Sequence, residues 1–362
     1  MACPTARNVF LRWLVAGLAL VVGVHPAHGE VIELEFRVAP EADNDQERAL
    51  DSLVKVRGPG GVHLNGLYLM THRGDLEELF ASENQAMIVH PLIEQPWRYC
   101  SVFSSGNQEH MIVGRNWDNE NVGSVIVSLY LPERGYSSIS FSRSIDMNIP
   151  LNIDLVDFRN HPAAKKLLVA PFYAFDGINE HGLVVSVAGV KQQSVHPQSE
   201  KQLIYVPFLV RKVLDQAKNV EEAVRLLEKF IPFDLDQDSL NTHYFVADTS
   251  GRSVILEYVD DEWKKFFNEK PWQVLENRPV YDMTDEELRA RGWRHRKMSE
   301  ALENSETVLD WEGGLAILED VAQKGTSWSV VYSPTKKDLY FTVYQEWDTV
   351  YHLEMPGQVE IE

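Results

Sequence analysis

Cysteine is the scarcest residue of this chain, which has two cysteines, Cys3 and Cys100, among 362 residues. Residues 1–29 read MACPTARNVFLRWLVAGLALVVGVHPAHG, where two arginines precede a short apolar run and small residues follow it. This order is typical of a secretory signal peptide. The apolar run predicts no stable membrane anchor, because a helix needs about 20 apolar residues to span a bilayer.

Removal of residues 1–29 would take Cys3 away and leave Cys100 as a lone thiol in a periplasmic or secreted protein. No disulfide can then form within the chain. A single cysteine in an oxidising compartment is either buried as a small apolar side chain or used for chemistry. The sequence around Cys100 is needed to distinguish between these two interpretations.

Other familiar signatures are missing as well. The chain has no GxSxG elbow, no HExxH, no Walker loop, no helix-opening GxGxxG and no Asn-x-Ser/Thr site. Its 12 histidines are scattered without metal-ligand spacing, so no metal or cofactor is expected. A formal net charge of −20 repels phosphate backbones, so nucleic acid is not an expected partner.

The chain is otherwise composed like an ordinary globular protein, with 44% apolar and 24% charged residues. VIELEFRV at 31–38 alternates as a half-buried strand does, and a short helix around 46–55, a loop at 58–61 and an acidic helix near 75–83 are predicted next. We therefore divide the chain into a signal peptide (1–29), a pro-segment (30–99) and a catalytic domain (100–362).

From residue 100 onward, short apolar runs rich in β-branched and aromatic residues alternate with turn residues, which predicts strand after strand. Two or three helices interrupt them. One is expected from Val220 to Phe230 behind an Asn219 cap, and another over 285–303. Strand runs with helices grouped between them indicate an α+β fold of stacked antiparallel sheets covered by helices.

Several stretches of the chain resemble one family, in the order in which that family has them. Cys100-Ser101 is followed by GRNWD at 114–118, and further similar stretches are DGINEHGLVVSVAG (176–189), HYFVADTSGRSVILEY (243–258), VLENRPVYD (274–282) and WSVVYSPTKKDLYFTVY (328–344). Together they resemble the choloylglycine hydrolase and penicillin acylase group of N-terminal nucleophile hydrolases, also called linear amide C-N hydrolases. The GRNWD form is most similar to the acyl-coenzyme A:6-aminopenicillanic acid acyltransferase branch.

The resemblance implies a four-layer αββα sandwich and a precursor that cuts itself between Tyr99 and Cys100. Cys100 would then supply both a nucleophilic thiol and a free α-amine, whose pKa near 8 lets it act as the base at neutral pH. It also implies that Arg115 favours the thiolate, that Asp118 accepts hydrogen bonds from the new α-amine, and that Asn277 donates to the oxyanion. For the last two positions of GRNWD, a bend after Asn116 is expected to turn Asp118 back toward Cys100.

Two further positions are less sharply marked. Arg294 is our choice for the family's distal arginine, with Arg296 a close rival, and solvent exposure on a helix is the plain alternative for both. Lys191 stands where bile-salt hydrolases carry asparagine and penicillin V acylases tyrosine, so only its backbone N–H is assigned to the oxyanion hole.

Three functions remain open from the sequence. The first is an exported amidase that cleaves a small N-acyl amide through a thioester on Cys100. The second is an acyltransferase of the same fold that passes the acyl group to an amine, and the third is a non-enzymatic protein with a buried Cys100. Aromatic residues near the presumed site favour an apolar acyl group, although core packing explains many of them: Phe103, Trp117, Phe172, Tyr173 and Phe175. A two-chain form after self-cleavage and a homo-oligomer are both possible.

Overall fold

The computed structural model describes most of the chain: residues 12–15, 18–25, 29–37, 44–57, 66–74, 99–119, 123–151, 153–191, 201–233, 240–305 and 308–356. The loop expected at 58–61 and the acidic helix expected near 75–83 lie outside these residues. No helix of the described part is long and apolar enough to cross a membrane.

The strands, numbered in chain order, are β1 (Arg12–Val15), β2 (Leu18–His25), β3 (Gly29–Glu33), β4 (Val54–Arg57), β5 (Leu67–Arg73), β6 (Tyr99–Gly106), β7 (Met111–Asp118), β8 (Val125–Leu131), β9 (Ser138–Arg143), β10 (Asp176–Asn179), β11 (Val184–Lys191), β12 (Gln202–Tyr205), β13 (Phe230–Phe233), β14 (Leu240–Ala247), β15 (Ser253–Val259), β16 (Glu262–Phe267), β17 (Trp272–Leu275), β18 (Thr326–Ser333), β19 (Asp338–Val343) and β20 (Thr349–Glu354).

The α-helices are α1 (Asp45–Ser52), α2 (Leu155–Phe158), α3 (Val206–Gln216), α4 (Val220–Leu227), α5 (Asp285–Arg291), α6 (Trp293–Glu303) and α7 (Trp311–Asp320). Two 3₁₀ helices cover Ser144–Met147 and Ala164–Tyr173. The helix predicted behind Asn219 is present, and the Asn219 side chain accepts a hydrogen bond from Glu222 N–H. Helices α3 and α7, which the sequence analysis did not predict, cover the outer faces of the sheets.

Two nine-stranded sheets form the body of the molecule. The first has the order β1-β2-β3-β20-β19-β18-β7-β6-β17, and the second β16-β15-β14-β11-β10-β9-β8-β5-β4. Neighbouring strands within each sheet are antiparallel except for β3 with β20 and β5 with β8. Each of these parallel pairs includes a strand that precedes Cys100, so within the two large sheets the strands from residue 100 onward pair antiparallel, as the sequence predicts. A separate two-stranded sheet, β12 with β13, is parallel.

Three apolar clusters separate four layers. The first lies between the two sheets and includes Val113, Val187 and Trp328. The second packs α1 and the Ala164–Tyr173 helix on the outer face of the second sheet, whereas the buried residues of α3 and α4 continue the first cluster. The third packs α6 and α7 on the outer face of the first sheet. Alternation of side chains along each strand supplies one face to each cluster, which gives the predicted αββα sandwich.

The segment before Cys100 is built into both sheets. Strand β3 ends at Glu33, earlier than the alternation over 31–38 predicts, and pairs with β20 of the first sheet. Strand β5 is buried from Leu67 to His72 and pairs with β8 of the second. Residues of the predicted signal peptide form β1 and β2, the outermost strands of the first sheet.

Candidate active site

Cys100 is the second residue of β6, between β7 and β17 in the first sheet. Its side chain is fully buried, and its backbone pairs with Trp117. Strand β17 ends at Leu275, opposite Val102, which brings the next residues of the chain beside Cys100. The Cys100 backbone N–H donates to Asn277 Oδ1 at 2.6 Å, so the nitrogen of the Tyr99–Cys100 peptide bond is already held by a side chain.

Arg115 contacts the thiol. It is fully buried on β7, and its Nη2 lies 3.5 Å from Cys100 Sγ and donates to Val187 O at 2.8 Å. Burial raises the pKa of the Cys100 thiol, and the nearby Arg115 charge offsets this only in part. The uncut chain therefore holds a protonated thiol, whereas Arg115 alone would favour the thiolate.

Asp176 neutralises Arg115 and was missed by the sequence analysis. The two side chains form a buried ion pair across the two sheets, with neither exposed. The Asp176 carboxylate also accepts from Trp328 Nε1 at 3.1 Å and from Tyr332 Oη at 2.5 Å. A signal was present, because Asp176 opens the DGINEHG stretch, but only the meeting of two sheets joins it to Arg115.

Arg294 contacts the other side of Cys100. It begins the inward face of α6, and its Nη1 donates to the Cys100 carbonyl oxygen at 2.7 Å and to Ser101 Oγ at 3.2 Å. The same guanidinium donates from Nη2 to Asn277 Oδ1 at 2.8 Å. Its rival Arg296 is exposed on the same helix. The structure therefore brings Arg294, and not Arg296, to Cys100.

Asp118 lies on the opposite face of the first sheet from the thiol. The bend expected after Asn116 is absent, because β7 pairs with β6 and β18 as far as Asp118. The carboxylate instead faces the helical layer, 3.4 Å from Arg294 Nη1, and accepts from Thr326 Oγ1 at 2.5 Å. Burial raises the pKa of Asp118 to about 7, although Arg294 and Thr326 act in the other direction.

Asn277 joins Cys100 to the second sheet. It is half-buried, and its Nδ2 donates to Gly189 O of β11 at 2.6 Å while Oδ1 accepts from Cys100 N–H. Lys191, assigned to the oxyanion hole through its backbone, ends the same strand two residues after Gly189 and pairs there with Leu240.

The aromatic residues expected near the site separate into different cores. Phe103 packs under the helices of the first sheet, and Phe172 and Tyr173 under those of the second. Trp117 and Phe175 lie between the sheets, stacked with centroids 4.1 Å apart, and Trp117 lies 4.6 Å beneath the Arg115 guanidinium. Three of the five residues are thus core packing away from Cys100.

The buried cysteine at the start of β6, within two stacked sheets covered by helices, defines an N-terminal nucleophile hydrolase fold. Residues 100–315 match the model of the linear amide C-N hydrolases, choloylglycine hydrolase family. The chain belongs to this family.

Curated and solved relatives agree with this assignment. The chain is 34% identical over 116 residues to a penicillin V acylase of Pectobacterium atrosepticum, a match covering 30% of this chain and 31% of that protein. The fold resembles the conjugated bile acid hydrolase of Clostridium perfringens (TM-score 0.51, 15% identity, 71% of this chain and 92% of that one). It also resembles the penicillin V acylase of Agrobacterium tumefaciens (TM-score 0.50, 19% identity, 71% and 86%). At these identities the structural likeness concerns the fold alone.

Proposed function

We propose that this protein is an exported amidase that hydrolyses a linear N-acyl amide through a thioester on Cys100, after the chain cuts itself between Tyr99 and Cys100. One observation carries the proposal: three different side chains contact three different atoms of Cys100. Arg115 meets the sulfur, Asn277 the backbone nitrogen and Arg294 the carbonyl oxygen. A cysteine that served only as a small apolar side chain would need none of these contacts.

The cut begins with attack of Cys100 Sγ on the carbonyl carbon of Tyr99. The acyl group moves from the Cys100 nitrogen to sulfur, and water then hydrolyses the thioester, which leaves a Tyr99 carboxylate and a free Cys100 α-amine. Asn277 Oδ1 already accepts a hydrogen bond from that nitrogen. Arg294 fixes the Cys100 carbonyl, so the residue stays in place when its peptide bond is lost.

The same atoms then act on a substrate amide. The α-amine, with a pKa near 8, takes the thiol proton, and sulfur attacks the acyl carbon. The Asn277 carboxamide N–H and the Lys191 backbone N–H stabilise the oxyanion, and the substrate amine leaves with a proton. Water releases the acid from the thioester. Asp118 acts through Arg294, which lies between its carboxylate and the Cys100 backbone.

Intact mass spectrometry of the purified protein tests the proposal. We expect a fragment that begins at Cys100, and we expect Cys100→Ala to remain uncut. A panel of N-acyl amides, with acids and amines varied separately, should then show release of free acid by the cut protein. Transfer to an added amine in place of hydrolysis would indicate the acyltransferase instead. An active protein whose Tyr99–Cys100 bond is intact would contradict the mechanism.

A further inference from the structure

Glu257 is a buried carboxylate that makes none of the contacts to Cys100. It lies on β15 of the second sheet with 1% of its surface exposed. Its Oε1 accepts from the backbone N–H of Val280 at 2.8 Å, and its Oε2 from that of Tyr281 at 2.7 Å. Both amides belong to the segment between β17 and α5, three and four residues after Asn277.

His243 supports this carboxylate from the neighbouring strand β14. It is fully buried, and its Nε2 contacts Glu257 Oε1. Burial acts to raise the pKa of Glu257, but His243 and the two backbone amides outweigh it and hold that pKa below its ordinary value. Glu257 is therefore ionised at neutral pH and accepts from both amides at once.

The connection from these amides back to Asn277 is stiff. The intervening residues are Arg278 and Pro279. Proline has a fixed φ, and the residue before a proline is restricted to extended conformations, so few conformations join Val280 to Asn277. Holding Val280 in place therefore limits where the Asn277 carboxamide can lie.

We propose that Glu257, supported by His243, is a positioning residue that sets the Asn277 carboxamide against Cys100 through the segment 277–281. The inference rests on the proposed function, in which Asn277 binds the oxyanion. Asn277 contacts Gly189 O on one side and Arg294 on the other. Both contacts are made by its side chain, so they do not fix the backbone of the segment. Glu257 fixes that backbone from the second sheet.

A double-mutant cycle tests the proposal. Glu257→Gln keeps one acceptor oxygen but turns an NH₂ group toward a backbone N–H, so we expect kcat to fall about 10–100-fold with KM within about twofold. Asn277→Ala alone should lower kcat by about 10²–10³. In the Asn277→Ala background, Glu257→Gln should have almost no further effect on kcat, because its effect passes through the missing carboxamide. Independent, additive losses would overturn the inference.

Two further variants separate positioning from general stability. Asp248→Asn is the matched control: Asp248 is buried and its carboxylate accepts from Val220 and Ser250 N–H at 2.8 and 2.9 Å, at the start of α4. It should lower the melting temperature while leaving kcat unchanged. Pro279→Gly loosens the segment without touching the buried carboxylate, and it should reproduce the kcat loss and its dependence on Asn277 even if Glu257→Gln fails to fold.

Hydrogen exchange gives a readout that needs no substrate. The amides of Val280 and Tyr281 should exchange faster in Glu257→Gln than in the wild type. Faster exchange with unchanged kcat would overturn the positioning role and leave the proposed function intact. A folded, correctly cut wild type that hydrolyses no amide in the panel would overturn the proposed function, and this inference with it.

Discussion

Arg115 is held in the core by its ion pair with Asp176, by hydrogen bonds and by the ring of Trp117. Its Nη2 contacts the thiol of Cys100. A buried guanidinium is strongly unfavourable without a partner, and Asp176 is that partner. The site therefore keeps a cation beside Cys100 only because the second sheet supplies a carboxylate.

Arg115→Gln should raise the pH at which iodoacetamide alkylates mature Cys100, since removal of the nearby positive charge makes the thiolate less stable. The measurement is the alkylation rate against pH, on protein whose N-terminus at Cys100 has been verified. Arg143→Gln is the control, because Arg143 is also fully buried and pairs with Asp146 at 2.7 Å. Both variants should melt at lower temperature. A shift of the alkylation profile in both, or in neither, would contradict a specific role for Arg115.

Asp118 should make the uncut chain less stable as the pH rises. Its pKa is about 7 in the folded chain against an ordinary value of 3.8, so between these values the unfolded state is ionised and the folded state is not. Folding stability from this group is fully present below about pH 4 and is lost as the pH rises to about 7. We expect Asp118→Asn, made in the uncut Cys100→Ala protein, to flatten the dependence of the urea midpoint on pH over this range. An unchanged slope would show that Asp118 is ionised in the folded chain.

The sequence motifs predict which residues surround Cys100. They predict less well how these residues are arranged around it. Arg115, Asp118, Asn277 and Arg294 lie together as their stretches indicate. Asp176 and Glu257 could not be predicted, because each acts across elements that are distant in the chain. The sequence also could not show which face of the first sheet Asp118 occupies, because that depends on β7 pairing with β18 as far as Asp118.

Among the elements, the stretch 285–303 shows how packing overrides a local pattern. The sequence predicts one helix, but the structure has α5 and α6 separated by Gly292. A Cβ at Gly292 would collide with the Glu276 carboxylate, and Glu276 lies 3.7 Å from Arg294 Nε. The break therefore makes room for a buried carboxylate behind Arg294, which no helical periodicity reveals.

Gly292→Ala should lower turnover by about 10–100-fold, because it displaces Glu276 and with it the Arg294 guanidinium on Cys100. The backbone itself allows alanine, since φ is −112°. Gly313→Ala in α7 is the control: its Cβ would meet only the end of the Leu309 side chain, at 2.6 Å. Turnover and melting temperature should be measured for both. Equal turnover in the two variants would argue against the link from Gly292 to the site.

The run of strands from residue 100 onward was predictable because many of them are short apolar runs bounded by turn residues. Helices α3 and α7 were missed. Helix α7 contains Gly313 and Gly314, residues that weaken a helical pattern, whereas Pro207 lies in the first turn of α3, where proline is tolerated. Both helices are held by the sheets beneath them, so their stability is tertiary.

For the whole molecule, the composition and the runs of strands predict the layered fold. They do not predict where the segment before Cys100 lies, which only the structure shows. The sequence predicts residues 30–99 as a pro-segment that is either removed or kept as a separate subunit. The structure places β3 in one sheet and β5 in the other, and β5 pairs with β8 along seven residues.

The N-terminal piece should therefore stay bound after the cut. Dissociation of this piece would expose the buried side chains of β5 and would leave β8 and β20 with unpaired edges. We expect size-exclusion chromatography under native conditions to give one peak that contains both fragments, and a denaturing gel to separate them. The uncut Cys100→Ala protein serves as the single-chain reference. Elution of the C-terminal fragment alone would contradict this expectation.

The pairing of β3 with β20 and of β5 with β8 also makes folding of the whole chain different from refolding of the cut one. While the chain is whole, β3 and β20 are tethered to each other, and closing even so long a loop costs an entropy that grows only slowly with length. Once the bond before Cys100 is broken, the same strands belong to separate chains, and unfolding sets one of them free to diffuse away. Refolding then depends on concentration, and the lifetime of the cut molecule is governed by how slowly it opens. On the proposed mechanism, the two sheets therefore assemble in the uncut chain, and the cut protein does not readily refold.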